Sequence, residues 1–261
     1  MKHILTYFSI LLIAVMMVLI IRSNEPKISP KILTVSKYYS YLYDSDQKIS
    51  VPIYLNIDNH PLSLMESYAH TFISNENETK KLEFDLYRVE KMGMETYLNE
   101  PYQLYHLVFI MPYLATDYYI EDCYLNITLS NDQQILVYIG KMSLLYINSD
   151  SNLLDWTSLS GIKKENSFLS RLSEIHVRFS TLNNEIESIR IGNDLEVTFL
   201  IDDHLLVIQI PDESYLLDNV PIIITFSNTE IQGIMNFKYI NDYQILKESG
   251  PLINSYAIDQ T

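Results

Sequence analysis

Beyond Arg22 the apolar residues of this chain recur at every second position, and that period restricts the fold more than any other feature. Leu82, Phe84 and Leu86 alternate with Glu83, Asp85 and Tyr87. Ile175, Val177 and Phe179 alternate with His176 and Arg178, and Leu195, Val197, Phe199 and Ile201 repeat the pattern. Successive side chains of an extended strand leave opposite faces of a sheet, so such alternation marks half-buried strands. Polar turn clusters separate the strands: Asp44-Ser45-Asp46, Asp58-Asn59-His60-Pro61, Ser130-Asn131-Asp132 and Ser227-Asn228-Thr229. No long stretch after Arg22 sustains helical spacing, so the expected class is all-β.

An internal repeat sets the number of domains. Leu107-Val108-Phe109-Ile110-Met111-Pro112 corresponds to Leu206-Val207-Ile208-Gln209-Ile210-Pro211, and residues 118–131 then align without gaps to 215–228. Each copy reads as a strand, a proline corner, a tyrosine (Tyr118 or Tyr215), an acidic residue, a strand and a hairpin turn. A tyrosine at the corner before a late strand resembles the corner of immunoglobulin-like domains, where a hydroxyl ties the loop down. The paired cysteines and core tryptophan of antibody-type domains are absent. The expected architecture is two tandem immunoglobulin-like β-sandwich domains after one N-terminal hydrophobic helix. The first, Tyr-rich domain is placed at residues 31–147 and the second at 160–247, with a linker at 148–159 and a tail at 248–261. Trp156, just past the polar run 148–152, is expected to pack between or under the domains.

Residues 4–21 form an uncharged, mostly apolar run between Lys2-His3 and Arg22. As a helix rising about 1.5 Å per residue, it reaches roughly 27 Å, just enough for a hydrocarbon core of about 30 Å. No small-x-small cleavage site succeeds it, so a retained signal anchor spanning residues 1–24 is expected, with secretion if it is cut. Arg22, Lys27, Lys31 and Lys37 argue for a cytoplasmic location of the chain beyond the helix. The very short basic N-terminus argues for export. The expectation is therefore a single-pass protein of the cell membrane with its bulk extracytoplasmic.

A single cysteine, Cys123, excludes an internal disulfide, so packing must supply stability. The formal charge of −15 makes nucleic acid and anionic lipid poor partners. Six dispersed glycines form no phosphate-cradling loop, the histidines lack paired metal-ligand spacing, and no serine sits in a nucleophile elbow. No cofactor, no metal and no enzymatic activity are expected. Two acidic groups, Asp117, Glu121 and Asp122 in the first copy and Asp212, Glu213 and Asp218 in the second, read as hydrated turns, as does Asp202-Asp203-His204.

Tyrosine is unevenly spread: 16 of the 21 lie between Tyr38 and Tyr146. Tyr39, Tyr41 and Tyr43 share one face of the first Tyr-rich strand, and Tyr113, Tyr118 and Tyr119 come after the first proline corner. Tyrosine suits half-buried strands, but it also offers a rigid apolar body with a hydrogen-bonding tip. These six residues are the candidate binding surface. The expected function is a binding module of the cell envelope whose partner is a protein or glycan. The alternatives are an extracytoplasmic hydrolase with a dispersed acidic site and a structural subunit of a membrane complex.

Overall fold

A computed structural model describes residues 15–17, 29–147, 152–166, 171–212, 215–238 and 244–258. Of the expected anchor only residues 15–17 are described, and they are helical; the rest lies outside the described residues. Among the described residues no helix is long and apolar enough to cross a membrane.

The first domain is two facing sheets. One contains β1 (Lys31–Val35), β3 (Lys48–Leu55), β7 (Glu100–Ile110) and β6 (Leu86–Tyr97) side by side. The other contains β2 (Lys37–Leu42), β9 (Gln134–Leu145), β8 (Tyr118–Leu129), β4 (Tyr68–Ser74) and β5 (Lys81–Glu83) in that order. The chain changes sheet at Ser36, so that β1 runs antiparallel to β3 while β2 runs parallel to β9. Between the sheets lie Ile49, Val51, Ile53, Leu107, Phe109, Leu125, Ile127 and Val137, alternate residues of their strands, all buried.

The second domain repeats this plan. β10 (Leu154–Lys163), β11 (Leu172–Leu182), β15 (Leu205–Gln209) and β14 (Phe199–Asp202) face β13 (Leu195–Val197), β12 (Ile186–Ile191), β17 (Asn219–Phe226) and β18 (Ile231–Lys238). The expected alternation appears directly: Ile175, Val177 and Phe179 point into the core while Glu174, His176 and Arg178 stay at the surface. The two repeated stretches occupy matching places, β7 with β15 in the first sheet and β8 with β17 in the second. Both domains are immunoglobulin-like β-sandwiches.

Two segments lie elsewhere than the sequence suggested. The expected linker at 148–159 already contains the start of β10, because Leu154 is buried in the second core and Gln232 brackets its backbone with two hydrogen bonds. The expected tail at 248–261 returns to the first domain. There β19 (Ile253–Ala257) pairs with β1, from Lys31 opposite Ala257 to Val35 opposite Ile253. The helix α1 (Ile245–Ser249) sets Leu246 among Leu33, Val35, Tyr54 and Tyr102, on the face of the first sheet away from the main core. Glu95 anchors it, accepting the Leu246 N–H at 2.8 Å and the Tyr54 hydroxyl at 3.2 Å. Exposed polar residues in an edge strand and a short terminal one obscure the period on which the sequence reading relied.

The domains meet through β2 and the corner of the second copy. β16 (Leu216–Leu217) adds to β2 in parallel, Lys37 is buried against Asp218 at 2.8 Å, and Leu42 packs with Leu145 and Ile223.

Candidate functional site

The tyrosines of β2 do not form a platform. Tyr39 and Tyr41 belong to the first core, at 5% and 7% exposure, and burial pushes both phenols up from their usual pKa. The alternation placing them on one face holds, but that face points inward. The opposite face, Tyr38, Ser40 and Leu42, is covered by the second domain, so the strand is buried on both sides. Tyr38 Oη donates to Asp194 at 3.0 Å and accepts from the Asn193 N–H at 2.7 Å. Gly192, at φ +63°, lies against the same ring, where a Cβ would come within 2.4 Å of Tyr38 Oη. The partner domain is thus shaped around Tyr38.

Tyr43, one step beyond the buried strand, belongs to a different setting. Its ring meets Tyr113 edge-on, with centroids 6.5 Å apart at 89°, and Tyr146 at 5.6 Å and 40°. Tyr113 is 83% exposed and Tyr146 45% exposed, while Tyr43 rests half-buried on the first core. Three elements converge to make this cluster. The parallel pairing of β2 and β9 brings Tyr43 and Tyr146 to the same end, and the Tyr43 N–H donates to the Leu145 carbonyl at 2.8 Å. The Met111 N–H donates to the Gln47 carbonyl at 3.2 Å, tying the corner that carries Tyr113 to the loop after Tyr43. Asp117 Oδ1 accepts the Tyr146 N–H at 2.6 Å and fixes the end of β9.

Tyr146 was not among the candidates from sequence. Its only signal is its place at the end of the first copy's last strand, and nothing in the sequence announces that β2 and β9 run parallel. An open groove of about 570 Å³ adjoins Tyr113, lined among others by Lys81, Glu83, Asp85, Met111 and Pro112. The pole bearing Tyr43, Tyr113 and Tyr146 lies opposite the entry of the chain at Lys31. β3 runs between them, from Lys48 opposite Ile110 to Leu55 opposite Ile32. Its eight residues separate the two ends by roughly 25 Å at about 3.3 Å each.

The remaining candidates separate from this cluster. Tyr118 packs against the first core, and burial raises its pKa to about 12. Its hydroxyl has no hydrogen-bond partner, so it does not tie down its corner as the resemblance implied. Tyr215, its counterpart, instead contacts Tyr138 of the first domain at 3.1 Å between hydroxyls. Tyr119 is half-buried, with Lys80 and Lys141 each 5.5 Å from its ring centroid. Trp156 is 42% exposed on the edge strand β10 rather than under a domain, because β10 has a neighbour on one side only.

The acidic groups are engaged in structural contacts. Asp122 accepts the Tyr138 hydroxyl at 3.2 Å, Glu121 lies 3.7 Å from Lys141, Asp218 pairs with Lys37 and Asp212 with Lys164. Glu213 lies outside the described residues. Burial opposes the charge on Lys141, but Asp194 and Glu121 outweigh it and raise its pKa. Among the described residues no three His, Cys, Asp or Glu side chains gather as a metal site.

No family model and no curated protein matches the chain. Solved structures do. A protein of the Bacteroides ovatus mixed-linkage glucan utilization locus, solved with a mixed-linkage heptasaccharide, is 10% identical at a TM-score of 0.22. That match covers 78% of this chain and 43% of that one. The fibronectin(III)-like modules of Clostridium thermocellum CbhA are 8% identical at 0.18, covering 77% and 87%. The sialic acid binding region of a Streptococcus sanguinis adhesin is 10% identical at 0.22, covering 82% and 77%. Likenesses this low carry no activity or ligand to this chain.

Proposed function

We propose that this protein is a non-enzymatic binding module of the cell envelope. It is anchored by its N-terminal apolar run and holds a glycan or protein at the Tyr43, Tyr113 and Tyr146 pole of its first domain. The observation that supports this reading is the exposed tyrosine cluster itself. A ring 83% open to water adds nothing to a core, and two neighbouring rings with a groove beside it give an amphipathic surface suited to recognition. The pole faces away from Lys31, so an anchor preceding Lys31 would leave the cluster on the membrane-distal side. The second domain, clasped to β2, serves as spacer or assembly surface.

The test is capture of envelope glycans and proteins by the detergent-extracted full chain, compared with Tyr113→Ala/Tyr146→Ala. Loss of captured ligand with unchanged melting supports the reading. Equal capture by both proteins, or a ligand lost instead on truncating Trp156 in the second domain, overturns it. External protease on intact cells tests the anchor and its orientation, since a chain shielded from protease contradicts export.

A further inference from the structure

We propose that the tyrosine pole recognises a glycan carrying amine substituents, with an ammonium group seated against the rings of Tyr43, Tyr113 and Tyr146. This rests on the binding role proposed above and names its ligand class. An aromatic face is electron-rich, and a cation within about 6 Å of a ring centroid is attracted to it, more strongly as water is excluded. Tyr43 and Tyr113 stand at right angles, which leaves a corner between an edge and a face, and Tyr146 packs against Tyr43 to extend the aromatic surface.

Elsewhere in the domain the protein supplies its own cations to such rings. Lys48 and Arg88 lie over Tyr87, Lys81 over Phe72, Lys80 over Tyr119, and Lys141 over Tyr38 and Tyr119. Among the described residues no lysine or arginine lies over Tyr43, Tyr113 or Tyr146. Exposed carboxylates flank these rings in the chain. Asp44 is the next residue after Tyr43, Asp46 lies in the same loop, and Asp117 holds the Tyr146 backbone; all three carboxylates are exposed.

The adjoining groove argues for a sugar chain as the carrier. It joins an apolar wall of Met111, Pro112 and Tyr113 to the charged hydrogen-bonding groups of Lys81, Glu83 and Asp85, within an open volume of about 570 Å³. Such a trough offers a stacking wall and polar partners for hydroxyls along one side.

The experiment is calorimetric titration of the full chain in a non-ionic detergent with glucosamine oligomers, their N-acetylated counterparts, choline, and 3,3-dimethylbutan-1-ol as choline's neutral isostere. Saturable binding of choline and glucosamine oligomers, each at least about tenfold tighter than its neutral counterpart, is expected. Tyr113→Ala should lose about tenfold with unchanged melting, and Tyr113→Phe should retain affinity because the ring face remains. Asp117→Asn keeps an acceptor for the Tyr146 N–H, and it should weaken only the cationic ligands, severalfold, and flatten their salt dependence.

Equal affinity for charged and neutral oligomers would overturn the ammonium assignment while leaving a glycan-binding module. A lysine-rich peptide binding more tightly than glucosamine oligomers would overturn the glycan as carrier. No binding of any of these ligands, together with envelope capture indifferent to Tyr113→Ala, would overturn both this inference and the binding role beneath it.

Discussion

Tyr41 and Tyr43 stand two residues apart, yet they belong to opposite kinds of place. Tyr41, with Tyr39, fills the first core from a strand buried on both faces; Tyr43 begins an aromatic cluster that ends in a ring almost wholly in water. The same side chain serves both because it combines a large apolar body with a polar tip. Position in the assembly decides which half of that chemistry is used. Within β2 the second domain closes off the outer face and the facing sheet the inner one, while past Leu42 the cover is only partial and Tyr43 rests half-buried on the first core.

Truncation should separate the two regions most sharply. Tyr39→Ala or Tyr41→Ala removes a buried ring and leaves a cavity, so a loss of about 3–5 kcal/mol is expected. The melting temperature should fall by roughly 10 °C or more. Tyr113→Ala, at an 83% exposed ring, should stay within about 0.5 kcal/mol of the parent. Urea and thermal unfolding of the three variants decide this. A destabilised Tyr113→Ala, or a Tyr41→Ala that melts like the parent, would erase the distinction.

A second effect, intermediate in size, concerns alkaline pH. Burial raises the phenols of Tyr39 and Tyr41 above their ordinary value near 10 and that of Tyr118 to about 12. An unfolded chain releases these protons near pH 10 while the folded one keeps them, so above that pH the native state binds more protons. Stability then falls as pH rises. The contribution is complete below pH 10 and is lost between pH 10 and each folded value, at up to about 1.4 kcal/mol per pH unit per group. Urea midpoints should be flat from pH 8 to 9 and decline above 10, less steeply in Tyr39→Phe/Tyr41→Phe/Tyr118→Phe. An equal decline in that variant would show that these rings do not drive the effect.

The strands were legible because alternation is a local property. Ile175, Val177 and Phe179 point inward as their spacing requires, and the repeated stretches fall on matching strands. The face to which Tyr39 and Tyr41 belong was equally legible, but its direction was not. Alternation says which residues share a face; it does not say that both faces of β2 are covered, which depends on a domain more than 100 residues later in the chain. Tyr146 escaped for a related reason. It joins Tyr43 only through the parallel β2–β9 pairing, a long-range contact with no sequence period of its own. The return of β19 to β1 was hidden likewise, since five residues with mixed exposure carry no clear pattern.

The smallest expected effect lies within β2 itself, between neighbours on its two faces. Tyr38 Oη lies 3.0 Å from Asp194 Oδ1 and 3.2 Å from Ser143 Oγ, and accepts the Asn193 N–H, linking the domains. Tyr39 Oη, one residue on, is buried with no hydrogen-bond partner. Asp194 keeps Lys141 and Ser143 keeps Ser40 when this hydroxyl is deleted, but the half-buried Asn193 N–H loses its acceptor, so Tyr38→Phe should lose about 1–2 kcal/mol. Deleting one that has been desolvated without compensation removes a cost, so Tyr39→Phe should be neutral or up to about 1 kcal/mol more stable. The two variants keep the same ring in nearly the same volume, so urea unfolding compares the hydroxyls with little contribution from packing. If Tyr39→Phe loses as much as Tyr38→Phe, the hydroxyl of Tyr39 has a bonding partner in the core. The inner face of β2 would then be a polar site in its own right, and the division between a packing strand and a recognising pole would have to be redrawn.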